Sequence, residues 1–132
     1  MGDLFVTRTQ ETVNLLSQVM SDKGLIKKIE ESVSVIVGAL KLDKPLLVCG
    51  NGGSSSDALH IAGELVGRFL VERKACNVIA LSANSSVLTA WANDYSYKTI
   101  FSRQVEAHGC DGGVLWVIST SGNSENVILA LK

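Results

Sequence analysis

The sequence predicts an α/β fold, a three-layer α/β/α sandwich built around a parallel sheet. Three short apolar runs, at 46–50, 77–82 and 113–119, alternate with longer segments of helical periodicity. The runs are continuously apolar rather than alternating, as expected for strands that are covered by helices on both faces. The first and third runs each lead into a loop rich in Gly and Ser, which is where parallel sheets place their ligands.

The helices are assigned from apolar stripes and their breaks. Residues 4–20 and 24–41 form two N-terminal helices that Gly24 separates, and three further helices are predicted at about 54–71, 85–92 and 97–108. A last amphipathic helix begins near Val127 and Ile128. A sheet of three parallel strands leaves a backbone edge unpaired, so we expect the 132 residues to be a fragment of a longer protein.

Composition narrows the class of function. The chain is 46% hydrophobic with a net charge of −1 and no basic run, so no nucleic-acid partner is expected. No segment is long and apolar enough for a membrane partner to be expected either. Cys49, Cys76 and Cys110 are odd in number and lie far apart, which indicates reduced thiols in a cytoplasmic protein. We interpret all three as small buried hydrophobic residues.

The two loops, 49–57 and 119–124, predict a phosphate site. A strand, a tight Gly/Ser/Asn turn and a helix N-terminus together bring backbone N–H groups and hydroxyls to one point. The second loop, Ser-Thr-Ser-Gly-Asn-Ser, carries four hydroxyls in six residues, more than a turn requires. The alternative is that both loops are polar connections without a ligand.

A possible metal or acid–base pair lies on the helix that follows the first loop. His60 and Glu64 are one turn apart, with Arg68 a further turn on, so the three share one stripe of the predicted helix. Imidazole and carboxylate are ordinary zinc ligands, although such a pair more often forms an ion pair or a hydrogen bond. Asp94 could bind ligand hydroxyls or simply end a helix, and His108 is interpreted as a helix C-terminal cap.

These motifs together closely resemble the sugar isomerase (SIS) domain family and, within it, the phosphoheptose isomerases. The resemblance covers about 45–132, and the two-helix N-terminal segment also fits. It rests on Cys-Gly-Asn-Gly-Gly-Ser at 49–54, Asp-Ala-Leu-His-Ile-Ala-Gly-Glu-Leu at 57–65, Gly-Arg-Phe at 67–69, Ala-Asn-Asp at 92–94, Phe-Ser-Arg-Gln-Val at 101–105 and Ile-Ser-Thr-Ser-Gly-Asn-Ser at 118–124. It implies an aldose–ketose isomerase that converts sedoheptulose 7-phosphate to D-glycero-D-manno-heptose 7-phosphate for bacterial surface glycans, lipopolysaccharide among them.

The resemblance also assigns roles to individual residues. It implies that Glu64 is the catalytic base, and that His60 and Glu64 are two ligands of one zinc ion. The other two metal ligands, a Gln and a His, lie in the C-terminal part of the family, beyond residue 132, and that His is also the second acid/base group. The implied substrate- and phosphate-binding residues are Asn51, Gly52, Gly53, Ser54, Asn93, Asp94, Ser119, Thr120, Ser121 and Ser124.

The resemblance further implies a homotetramer that assembles through the N-terminal helices. We therefore expect a helical oligomerisation segment at 1–44 and a SIS domain at 45–132, incomplete at its C-terminus. Because half of the zinc ligands are missing, the 132-residue form is expected to be inactive by itself. The alternative function is that of a non-catalytic SIS-domain regulator that binds a sugar phosphate or a replication initiator. Such regulators typically lack the acidic residue at the position of Glu64.

Overall fold

A computed structural model describes residues 2–132, and their contacts divide the chain into two units. The first unit ends at Val35, and the second runs from Ile36 to Lys132. The first unit holds α1 (Gly2–Ser21) and most of α2 (Lys23–Lys41). No helix among residues 2–132 is long and apolar enough to cross a membrane.

The break between α1 and α2 falls at Asp22, so the predicted break at Gly24 is wrong. The Asp22 carboxylate accepts a hydrogen bond from the backbone N–H of Leu25 at 2.9 Å, which is the geometry of a helix N-cap. Gly24 lies in the first turn of α2. The capping side chain therefore sets the boundary, rather than the flexible residue beside it.

Three parallel strands form the sheet, as predicted. These are β1 (Leu46–Gly50), β2 (Val78–Ala80) and β3 (Val114–Ile118), in the order β2-β1-β3. The register pairs Leu46 with both Val78 and Val114, and Gly50 with Ile118. Every residue of β1 is buried, since it is the central strand and has helices on both faces. The ends of β1 and β3 consequently lie side by side.

Two apolar cores confirm the three-layer arrangement. Leu47 and Cys49 face one core, where they meet residues of α4 (Ser85–Asp94), α5 (Ser102–His108) and α6 (Glu125–Ala130). Leu46 and Val48 face the other core, with α3 (Gly53–Val66) and the last turns of α2. This division follows from the period of two along a strand, which sends successive side chains to opposite faces.

Helix α3 ends at Val66, five residues before the predicted end at 71. The guanidinium of Arg73 donates to the carbonyl oxygens of Leu65 at 2.8 Å and Glu64 at 3.0 Å. These carbonyls would bond to the N–H groups of residues 68 and 69 if the helix continued. Arg68 therefore lies beyond the helix, and the predicted stripe of His60, Glu64 and Arg68 ends at Glu64.

Other boundaries differ by a turn or less. The predicted helix at 97–108 is a 3-10 helix at Tyr97–Thr99 followed by α5, because the Ser96 hydroxyl caps the shorter segment by accepting from the N–H of Lys98. Strand β2 spans three residues instead of the predicted six. The expectation of three buried cysteines holds for Cys49, whereas Cys76 is half-buried and Cys110 is exposed in a turn before β3.

Candidate functional site

The site lies at the carboxyl edge of the sheet, where the loops after β1 and β3 are neighbours. Gly50 ends β1 beside Ile118. A Cβ atom at position 50 would lie 2.7 Å from the Cβ of Ser54 and 2.8 Å from the carbonyl oxygen of Ile118. A side chain does not fit there, so the glycine allows both Ser54 and the end of β3 to lie close to the end of β1. Sequence reasoning did not single out Gly50.

The first loop leads into an uncapped helix end. Gly52 has a positive φ of 54°, which favours glycine, and α3 begins at Gly53. No side chain caps this N-terminus, because position 52 has none to offer. The first N–H groups of α3 thus remain available to a ligand. Ser54 is half-buried at this point.

The second loop gathers the hydroxyls of Ser119, Ser121 and Ser124. The Ser119 Oγ lies 3.5 Å from the Ser121 Oγ and 3.3 Å from the Ser124 Oγ. The backbone N–H of Gly122 donates to the Ser119 Oγ at 3.1 Å, and Gly122 has a positive φ of 66°. Thr120 is exposed in the same loop. The Ser119 hydroxyl is therefore within hydrogen-bonding distance of the other two, and the three form one cluster.

The side chain of Asn51 is held by residues that sequence reasoning missed. Its amide exchanges two hydrogen bonds with the amide of Asn126, at 2.8 and 2.9 Å, and its Oδ1 also accepts from the Tyr97 hydroxyl at 2.9 Å. Asn126 is buried on the same face of α6 as Val127 and Ala130. A polar residue on an apolar helix stripe is the sequence signal that could have identified it.

Asn93 and Asp94 lie in the last turn of α4, and both are exposed. The amide of Asn93 donates to the Asp94 carboxylate at 2.8 Å. No hydrogen bond or ion pair joins either side chain to the two loops within the described residues. The interpretation that this pair ends a helix agrees with its position.

His60 and Glu64 share one face of α3, one turn apart. His60 is exposed and Glu64 is half-buried. In the part of the chain that the structure describes, neither side chain has a hydrogen bond or an ion pair, so the simple alternative of a His60–Glu64 pair does not apply. Ser54 and Glu64 are ten positions apart on the helix, which corresponds to about 15 Å along its axis.

The donor set of this pair fits zinc in kind but not in number. Imidazole nitrogen and carboxylate oxygen are common zinc ligands, and a structural or catalytic site uses three or four protein ligands. Among residues 2–132, no group of three His, Cys, Asp or Glu side chains is close enough to hold a metal ion. The chain therefore offers two donors of such a site.

Cys49 lies at the base of the first loop. Burial raises the pKa of its thiol to about 11, because the thiolate would lose its hydration. The thiol stays protonated at neutral pH, and this is the state of a packing residue rather than a nucleophile.

A groove of about 400 Å³ opens at the opposite edge of the sheet. Pro45, Leu47, Glu106, Cys110 and Gly113 are among its lining residues. They lie near the amino ends of β1 and β3, and none of the predicted site residues is among them. The loops and this groove are thus separate features of the domain.

Comparisons with known proteins agree with this architecture. A family model described as "SIS domain" matches residues 9–132. The phosphoheptose isomerase of Clostridium acetobutylicum is 48% identical over 132 residues, all of this chain and 67% of that protein. That of Crocosphaera subtropica is 47% identical over 123 residues, 93% of this chain and 62% of that protein.

A solved structure shows the same fold. The phosphoheptose isomerase from Neisseria gonorrhoeae superposes with a TM-score of 0.89 at 35% identity, over 98% of this chain and 66% of that one. The chain thus spans about two thirds of the length of these relatives or less. On its sequence and its fold, the chain belongs to the SIS domain family, among the phosphoheptose isomerases.

Proposed function

We propose that the protein is an aldose–ketose isomerase that converts sedoheptulose 7-phosphate to D-glycero-D-manno-heptose 7-phosphate. The observation that carries this proposal is the convergence of the Ser119, Ser121 and Ser124 hydroxyls at the carboxyl edge of the sheet. Relatives named phosphoheptose isomerase support the choice of substrate. The same relatives, together with the presence of Glu64, favour an enzyme over the regulator.

The phosphate of the substrate would replace the contacts that the hydroxyls make with each other. Ser119, Ser121 and Ser124 each have one proton to donate, and Thr120 and Ser54 border the same edge. A hydroxyl donor to a charged oxygen forms a shorter and stronger hydrogen bond than a neutral pair does. The site thus recognises phosphate with neutral donors and helix N–H groups.

Proton transfer is assigned to Glu64. Isomerisation moves a proton between adjacent carbons through an enediol, and this requires a positioned base. Glu64 is half-buried, and within the described residues no ion pair holds its carboxylate in place of a substrate or a metal. Since Glu64 lies about 15 Å along α3 from Ser54, substrate binding and proton transfer depend on separate parts of the chain.

One zinc ion is part of this proposal. His60 and Glu64 would hold it, with further ligands from outside the 132 residues. When bound, zinc supplies a Lewis acid that stabilises the developing oxyanion. A carboxylate that binds zinc tightly is a weaker base, so the strength of the Glu64 contact to the metal would set how well Glu64 takes the proton.

The N-terminal helices are proposed to assemble the protein as a homotetramer. Large apolar side chains along them are exposed, among them Phe5 at 75%, Met20 at 78% and Val33 at 52%. Exposed apolar surface of this extent is typical of an oligomer interface. The proposed oligomerisation segment is 1–44, the proposed SIS domain is 45–132, and sedimentation at micromolar concentration tests the assembly.

A bacterial cytoplasm is the proposed location, since the described cysteines are free thiols. The product would supply heptose for surface glycans such as lipopolysaccharide.

The recognition of phosphate on which the proposal depends is tested by comparing sedoheptulose 7-phosphate with unphosphorylated sedoheptulose in calorimetric titrations. Binding of the phosphate ester with little or no binding of the free sugar is the expected result, because the hydroxyl cluster recognises the phosphate. Equal binding of the two ligands, or no binding of the phosphate ester, would contradict the proposal.

A further inference from the structure

The amide pair between Asn51 and Asn126 links the two loops of the site. The two residues are 75 positions apart in the chain. Asn51 follows β1 in the first loop, whereas Asn126 lies in the first turn of α6, directly after the second loop. Asn126 is 4% exposed and Asn51 is half-buried, so the pair is partly shielded from water.

The geometry of the pair fixes the orientation of both amides. Asn51 Nδ2 donates to Asn126 Oδ1 at 2.8 Å, and Asn126 Nδ2 donates to Asn51 Oδ1 at 2.9 Å. The two bonds close a ring, so rotating either amide breaks both. The Tyr97 hydroxyl adds a third bond to Asn51 Oδ1 and ties in the segment that follows α4.

Asn126 is in turn rigidly connected to Ser124. The carbonyl oxygen of Ser124 accepts from the N–H groups of Val127 and Ile128, each at 3.0 Å. These bonds make Asn126 part of the same helical turn that begins at Ser124. The amide pair therefore bridges the first loop to the turn that carries the Ser124 hydroxyl, in addition to the pairing of Gly50 with Ile118.

We propose that Asn126 is a positioning residue that, through Asn51, holds the two loops at the spacing needed to bind a sugar phosphate. This inference rests on the proposed function, because it assumes that the loops bind that ligand. Asn126 itself does not touch the phosphate in this proposal. Loss of Asn126 removes two of the three hydrogen bonds of the half-buried Asn51 amide, so the first loop is freed to move toward other partners.

A double-mutant cycle tests the proposal by calorimetric titration of the chain with sedoheptulose 7-phosphate. Asn126→Ala is expected to weaken binding about tenfold, as for loss of two part-buried hydrogen bonds. In the Asn51→Ala background the same change is expected to have less than about a twofold effect, since its partner is already absent. Asn77→Ala is the matched control, because Asn77 donates to the Asp43 carbonyl near the amino end of β2.

Each outcome of the cycle separates this inference from the proposed function. If the parent chain fails to bind the ligand, the proposed function fails and the inference fails with it. If the parent chain binds and Asn126→Ala binds equally well, the inference alone is overturned. An equal loss in both backgrounds would also overturn it, because Asn126 would then act independently of Asn51.

A second variant keeps the inference testable if Asn126→Ala does not fold. Tyr97→Phe removes the hydroxyl bond to Asn51 and leaves the amide pair intact, and because Tyr97 is 57% exposed we expect the variant to fold. It is expected to weaken binding about two- to threefold. A fall in the denaturation midpoint with unchanged affinity would show a purely structural role and overturn the proposal.

Discussion

The two ends of the candidate site differ in whether their polar side chains have hydrogen-bond partners within the protein. In the Ser119–Ser124 loop the polar side chains bond to each other and to the backbone. On α3, His60 and Glu64 have no such partners within the described residues, although Glu64 is half-buried. Groups that are held before the ligand arrives are suited to binding, while unpartnered acid–base groups are suited to chemistry or to a metal. The contrast predicts that binding and turnover respond to different mutations.

The largest expected effect is on turnover. In a form of the protein that spans the full length of its relatives, Glu64→Gln should lower kcat by about 10²- to 10⁴-fold, because it removes the proposed base. The affinity for sedoheptulose 7-phosphate should change less than about twofold, since the hydroxyl loop is untouched. Product formation followed by chromatography and binding followed by calorimetry measure the two quantities.

Glu72→Gln is the matched control for this prediction. Glu72 is an exposed carboxylate after the end of α3. Its substitution should leave both kcat and the affinity for sedoheptulose 7-phosphate unchanged. A Glu64→Gln protein with near-normal turnover would remove Glu64 from the mechanism. Strong turnover by the unmutated 132-residue chain would also break the contrast, because its described residues supply only two metal donors.

The next effect is on affinity. Ser124→Ala should weaken sugar-phosphate binding about tenfold or more, as expected for a hydrogen bond to a charged group worth roughly 1.5–3 kcal/mol. Ser86→Ala is the matched control, since Ser86 is an exposed serine of α4 with no side-chain hydrogen bond in the described structure. Calorimetry that finds the two variants equal would show that the hydroxyl cluster is not the phosphate site.

The smallest effect is on stability and concerns Cys49, at the start of the first loop. Because burial raises the pKa of Cys49 from 9.0 to about 11, the thiol stays protonated in the folded state while the unfolded chain ionises. The buried neutral thiol therefore makes its full contribution to the free energy of unfolding below pH 9. This contribution is lost between pH 9 and 11, by at most about 1.4 kcal/mol per pH unit. Cys49→Ala should remove this part of the pH dependence of the free energy of unfolding, measured by urea unfolding between pH 8.5 and 10.5.

Cys110→Ser is the control for the thiol prediction, since Cys110 is exposed. It should leave the pH dependence unchanged. In the parent chain, Cys110 should react rapidly with an alkylating reagent and Cys49 only on unfolding. Rapid alkylation of folded Cys49 would show that the base of the loop is open.

The sequence predicted those features that depend on local pattern. Continuous apolar runs located the three strands, and the strand–loop–helix pattern placed both serine loops at one edge of the sheet. What it could not predict depends on partners distant in the chain. The end of α3 is set by Arg73, and the orientation of Asn51 is set by Asn126 and Tyr97. The break at Asp22 was missed for a different reason, because a capping side chain competed with a nearby glycine.

That His60 and Glu64 share one helix face could be predicted from the sequence, since this prediction requires only the helical period. Their lack of partners could not, because it depends on what every neighbouring element brings to that face. The prediction that the cysteines are buried is wrong for Cys110 for a similar reason. A cysteine in a turn before an edge strand has too few neighbours to bury it.

The central claim is that the two loops at the carboxyl edge of the sheet bind the phosphate group. Amide chemical-shift mapping during a titration of the 132-residue chain with sedoheptulose 7-phosphate tests it most directly. We expect the largest shifts at 52–54 and 119–124, with residues near Cys110 and Gly113 at the opposite groove unchanged. Shifts centred on that groove, or no saturable shifts in either loop, would contradict it.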